Sequence, residues 1–286
     1  MKFQEADLTS ANLSKADLER ATFRDANLGK ARLQETHLYQ TYLKGASLKE
    51  ADLQKSNLVQ ADLEGVNLQQ ANLESANLTG TGTGLGQVNL QQAVLRKANL
   101  EDAELEGVNL QGADLQEARL SRASLKGANL KESNLQKANL SRCNLQEANL
   151  QQANLQGAVL ADADLGQADL RKANLAGSDL ESANLEQANL EEADLQNAKL
   201  TEANLGRASL KGANLEEADI QKANLVQANL QEANLKQALL ANRQTHRGRL
   251  RGAGVGPEKA HPETGLAGNA EQRQRPSGHR QRPACI

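Results

Sequence analysis

Leucine recurs along this chain with a period of five. It falls at 8, 13, 18 and every fifth residue to Leu78, with Phe23 the exception, then at 85, 90, 95 and every fifth residue to Leu240, with Ile220 the exception. Between Leu78 and Leu85 the interval is seven. With each leucine position written i, position i−2 is alanine almost throughout. The departures are Thr36, Thr41, Ser56, Val66, Thr83, Val88, Val108, Ser133, Cys143 and Ser178, all small. Position i−1 is mostly Asn or Asp, and positions i+1 and i+2 are mostly Gln, Glu, Lys, Arg, Ser or Gly.

Neither regular element can use this pattern. In a helix of about 100° per residue, five steps advance roughly 500°, so the leucines spiral around the rod without forming a stripe. Asn or Asp at every fifth place also weakens a helix. In one long strand, side chains alternate with period two, and an odd repeat throws successive leucines onto opposite faces. The pattern works if the chain restarts every five residues. Positions i−2, i−1 and i form a short extended piece whose ends, Ala and Leu, point inward while Asn or Asp points outward. Positions i+1 and i+2 turn a corner, and the Asn or Asp carboxamide or carboxylate is placed to bond the backbone two residues on. Repeated corners of one hand wind the chain into a coil whose backbone pairs with the coils above and below.

Stretches such as ANLQQANLQGAVL (148–160) and SANLEQANLEEADL (182–195) carry the pattern A-[DN]-L-x-x. Over residues 4–240 the chain resembles the pentapeptide repeat family. The resemblance implies an all-β fold, a right-handed, four-sided β-helix with twenty residues per coil. Periodicity alone leaves the number of sides open. On that count residues 1–240 make about twelve coils, a rod of roughly 55–60 Å at ~4.8 Å per coil. The glycines of TGTGTG suit an outward loop at 79–87 that absorbs the two extra residues, leaving Leu78 and Leu85 both inside.

Composition sharpens the picture. The chain has 286 residues with two Phe, two Tyr, no Trp and one Met, which excludes an aromatic-rich core. All four prolines lie after residue 240. Residues 241–286 carry nine basic and three acidic side chains, whereas residues 1–240 carry 24 basic and 33 acidic ones. The division marks a basic tail at 241–286, too rich in Arg, Gly and Pro to pack, and expected to be disordered. The abrupt loss of the repeat is also what a shifted reading frame past about 241 would produce. Two cysteines, Cys143 and Cys285, are too few for a disulfide framework. Cys143 takes an alanine place and is expected to be buried. No secretory signal and no apolar run of membrane-spanning length are visible, so the expected location is the cytoplasm, with no membrane partner.

Candidate chemistry is sparse. The glycines run G-x-G-x-G-x-G with no Gly-Lys-Ser or Gly-Lys-Thr after them, so a bulged corner is favoured over a phosphate loop. The histidines have no metal-ligand spacing. Ser and Thr at i−2 face inward, and the acids recur as a solvated coat. No catalytic residue, cofactor or metal is therefore expected, and the chain is read as a non-enzyme. The candidate partner contacts are His37, Tyr39 and Tyr42 in THLYQTYLKG and the loop glycines Gly80, Gly82 and Gly84, because aromatics anchor interfaces and loops carry function. The plainer reading of the aromatics is that they cover neighbouring coils. Three functions remain in view. The first is a rod-like scaffold for protein–protein interaction. The second comes from the family resemblance: some members mimic B-form DNA and inhibit DNA gyrase, protecting against gyrase-targeting drugs. The third is a secreted bacterial effector. Against the second, Lys126, Lys131, Arg171 and Lys172 interrupt the acids, and the centres are Leu where such members tend to carry Phe. Nucleic acid is expected only as a nonspecific partner of the tail. A β-coil exposes unpaired backbone at its ends, so end-to-end association into a homodimer is also expected.

Overall fold

Five residues are enough to extend, turn and start again, and the computed structural model repeats that unit throughout the residues it describes, 1–78 and 88–240. These hold no helix. Outside the stretch around residues 67–99, outward i−1 residues form parallel bridges with the residue twenty places on: Asn109 with Asn129, Asp114 with Asn134, Arg119 with Asn139, Ser124 with Asn144. Four bridges are thus passed before the chain returns to its starting column. The coil has four sides and takes twenty residues per turn.

The backbone accounts for four of the five N–H groups of the unit. In the pentapeptide centred on Leu130, Leu130 N donates to Asn149 O of the next coil at 2.7 Å, and Glu132 N to Gln151 O at 2.9 Å. Asn129 N donates back to Val108 O at 2.9 Å, and Ser133 N closes the corner onto Leu130 O at 3.1 Å. The remaining N–H, at i+1, has no backbone acceptor. The i−1 side chain takes it: Lys131 N donates to Asn129 Oδ1 at 3.3 Å, Gln69 N to Asn67 Oδ1 at 3.0 Å, and Gly166 N to Asp164 Oδ1 at 3.0 Å. This is the bond expected for Asn and Asp at that place.

The corner demands a left-handed residue at i+2. Among the described residues thirty-seven other than glycine take it, with φ between 53° and 63°, and eight glycines take it at φ between 64° and 72°. No described i+1 residue has positive φ, which is the type II arrangement.

Inside, Leu and Ala close the section. From Phe23 to Leu235 the described leucine centres are buried, as are the described small residues at i−2, including Val66, Val88, Val108 and Cys143. Each such leucine contributes ~1.5–3 kcal/mol of burial. The hydroxyls placed among them need partners. Thr36 Oγ1 donates to Leu13 O at 2.9 Å, Thr41 Oγ1 to Leu38 O at 2.8 Å and Ser133 Oγ to Leu130 O at 2.7 Å. Ser56 Oγ and Ser178 Oγ find none. In the first coil Phe3, Leu8 and Leu13 are only half-buried, because no coil lies beneath them among the described residues. Phe3 stacks on Phe23 at 4.9 Å between centroids.

The seven-residue interval leaves the pairing intact. Asn67 bridges Asn89, Asn72 bridges Val94 and Asn77 bridges Asn99, an offset of twenty-two, after which twenty resumes. Leu78 is buried, as expected. The expected loop at 79–87, with Leu85, Gly80, Gly82 and Gly84, and the tail at 241–286 lie outside the described residues.

Two outcomes follow from this packing. Gly177 sits at i+2 with φ of 64°, and nothing lies within 4 Å of the position an added Cβ would take. Gly177→Ala therefore isolates the left-handed backbone cost, and urea unfolding should show a loss of about 1–2 kcal/mol. Burial pushes the Cys143 thiol from the ordinary 9.0 up to about 12. The folded state then holds that proton more tightly than the unfolded chain, so the thiol's contribution is complete below pH 9 and is lost as pH rises from about 9 towards 12. Denaturation measured across this window should show a stability loss that Cys143→Ala reduces.

Candidate interaction surface

All outward side chains belong to one of three kinds of column. The i−1 residues run up the middle of each side, and the i+1 and i+2 residues run up the corners. Residues in one column are a coil apart, close enough for side chains to bond. Amides use this spacing. Asn154 Nδ2 donates to Asn134 Oδ1 at 3.3 Å and Asn174 Nδ2 to Asn154 Oδ1 at 3.3 Å, while Gln136 Nε2 donates to Gln156 Oε1 at 3.1 Å along a corner.

Charges use it too. Lys15 pairs with Glu35, Lys30 with Glu50, Arg122 with Asp102 and Lys222 with Glu202, each twenty residues apart. The Arg122–Asp102 contact is bidentate, at 2.7 and 2.8 Å. The hydrogen bond from Arg122 holds the Asp102 carboxyl below its usual range. Such exposed pairs add little stability singly, but they break up the acidic coat. The acids of residues 1–240 form no unbroken stripe among the described residues.

His37 and Tyr42, both at i−1, stand on adjacent sides of the rod, and Tyr39 occupies the corner between them. His37 and Tyr42 are exposed, Tyr42 at 54%. Tyr39 is half-buried. Its hydroxyl lies 3.3 Å from Gln60 Oε1, which also accepts from Gln40 Nε2 at 2.9 Å, and Gln40 Oε1 accepts from Arg20 Nε at 2.9 Å. Tyr39 is therefore held by a corner ladder of side chains. Tyr42 stands between Thr22 below and Asp62 above and forms no stacked ring pair among the described residues. The three residues are brought together as their spacing of two and three along the chain requires. Gly80, Gly82 and Gly84 lie outside the described residues and add nothing to the surface.

One feature escaped sequence reasoning. Gly166, between Gln146 and Glu186 in a corner column, leaves a hollow of about 140 Å³ also lined by Glu147 and Asn184. Its signal was a glycine at i+1 flanked, twenty residues to either side, by long side chains. No group of residues that could hold a metal ion occurs among the described residues.

The pentapeptide repeats family model matches residues 2–40, 41–80, 85–122, 123–160, 148–187, 158–197 and 198–237. Among solved structures, HetL, a pentapeptide repeat protein involved in heterocyst differentiation regulation from the cyanobacterium Nostoc sp. strain PCC 7120, is 31% identical. That match covers 80% of this chain and 90% of HetL, with a TM-score of 0.44. Rfr23, a pentapeptide repeat protein from the cyanobacterium Cyanothece 51142, is 38% identical over 36% of this chain and 63% of its own, with a TM-score of 0.30. Full-length QnrB1, a plasmid-mediated fluoroquinolone resistance protein, is 16% identical over 75% of this chain and 91% of its own, with a TM-score of 0.33. No curated protein matches the chain. With repeats matched over most of residues 2–237, the chain belongs to the pentapeptide repeat family, which implies a right-handed β-helix.

Proposed function

We propose that this protein is a non-enzymatic scaffold, a rod of about twelve coils that binds a protein partner in the cytoplasm through its flat sides. The observation that carries the reading is Tyr42, the most exposed tyrosine or phenylalanine among the described residues, standing unstacked on a side otherwise covered with polar groups. A tyrosine supplies large, stiff contact area at small entropic cost. Tyr39 and His37 extend the patch around the corner. The hollow beside Gly166 is small and lined by polar side chains, unlike the apolar clefts that hold small molecules. The DNA-mimic reading is set aside because bases pair with acids along the corners, and nothing in the surface favours the effector reading. No helix of the described residues is long and apolar enough to cross a membrane.

End-to-end association belongs to the same proposal. The N–H groups of Asp7, Asn12 and Asp17 have no acceptor among the described residues, and Phe3, Leu8 and Leu13 are half-open beside them. Light scattering of the full chain should give a dimer mass, and a strictly monomeric species at all concentrations contradicts this part.

Affinity capture followed by mass spectrometry tests the contact patch. Changing Tyr39→Ser together with Tyr42→Ser should lower capture of the specific partner about tenfold or more, while the circular-dichroism spectrum stays unchanged. Equal capture by both chains retires the patch. Inhibition of DNA gyrase supercoiling at micromolar protein would restore the DNA-mimic reading in its place.

A further inference from the structure

A five-residue unit that extends and turns does not by its period say how many units close a coil. Three, four or five would bring the next coil back at offsets of fifteen, twenty or twenty-five residues. The charges at i+2 distinguish these offsets. All of these residues share one backbone conformation and one corner setting, so a change of offset changes only which of them are stacked.

Within residues 5–75 and 92–237, stacking i+2 residues at an offset of twenty brings nine pairs of opposite charge together and two of like charge. An offset of fifteen gives three opposite and ten like, and an offset of twenty-five gives six opposite and four like. The particulars show the logic. Glu117 faces Lys137 at twenty but Glu132 at fifteen. Lys97 faces Glu117 at twenty but Arg122 at twenty-five. The two like pairs at twenty are Glu5 with Asp25 and Arg122 with Arg142. In the structure seven of these nine pairs are in contact, all but Glu35 with Lys55 and Glu117 with Lys137. Among the described residues, ten ion pairs of all columns join residues twenty apart, including Lys97–Glu117, Arg122–Asp102, Arg142–Asp162 and Lys172–Glu192 at i+2.

We propose that the i+2 charges form a register code, a built-in device that steers each incoming pentapeptide onto the residue twenty places back and away from neighbouring offsets. Exposed pairs hold a folded protein together weakly, yet like charges set directly opposite one another on stacked strands oppose pairing. The code therefore acts by discrimination, as charged and polar positions do when they set register in other repeating assemblies. Its range is bounded. From Gln60 to Gln92 the i+2 places described are Gln60, Gly65, Gln70, Ser75 and Gln92, all uncharged. The code is silent around the seven-residue interval, where the offset becomes twenty-two.

The test preserves composition and net charge. Lys97→Asp with Asp102→Lys places like charges over Glu117 and Arg122. Adding Glu117→Arg and Arg122→Glu restores opposition at both sites and leaves the count with the coil above, at 137 and 142, unchanged. Refolding of the full chain from urea, read as the yield of native-sized, protease-resistant protein, should fall about threefold to tenfold in the two-residue exchange. It should return to the parental yield in the four-residue exchange. The loss should also shrink in about 1 M salt, where the Debye length is roughly 3 Å. Equal yields for all three chains overturn the code. So does a four-residue exchange as impaired as the two-residue one, or a loss that salt leaves unchanged.

Discussion

The rod depends on one left-handed residue at every corner. An L-residue there costs roughly 1–2 kcal/mol against its relaxed backbone, and the described residues accept the cost 37 times outside glycine. The compensation is hydrogen-bond bookkeeping. The left-handed residue aims its N–H at the carbonyl of the next coil, and the following N–H closes the corner. Only the i+1 N–H is left over, and an orphaned donor in a stacked wall is a free-energy loss. Asn or Asp at i−1 removes it. The outward Asn and the inward Leu are therefore two consequences of the same corner, one satisfying the backbone and the other filling the section that the corner encloses.

That dependence explains how much of the fold could be read beforehand. Inward leucines, small residues at i−2 and the Asn or Asp bond to i+1 all follow from geometry within five residues, so the sequence carries them in every unit. Contacts between coils do not reduce to the unit. Lys97–Glu117 and Arg122–Asp102 become visible only once twenty is known to be the offset. The fates of buried hydroxyls are less legible still: Ser133 and Ser178 hold the same place in the repeat, yet one finds a carbonyl and the other does not.

The proposed contact patch shows the same boundary between local and non-local. That His37, Tyr39 and Tyr42 share one corner region follows from their spacing, which puts one i−1 residue on each of two adjacent sides. That Tyr39 is braced through Gln60 and Tyr42 is not depends on which residues the coils above and below supply. A regular rod offers the same backbone at every level, so its levels can differ only in side chains. The proposed recognition is then a matter of where the repeat is decorated, and Tyr42 is the more exposed of the two tyrosines.

Stability and specificity are divided between different positions of the unit. Leucine and alanine supply burial, but they are nearly identical at every level and cannot tell one coil from the next. A core this uniform stabilises a shifted stack almost as well as the native one. The discrimination must come from positions that vary, and i+2 is where charge varies most freely because side chains there stand at the outer corner and every L-residue carries the same left-handed backbone. The corner that costs the chain most in backbone conformation is thus also the place where sequence can mark one coil as the neighbour of another.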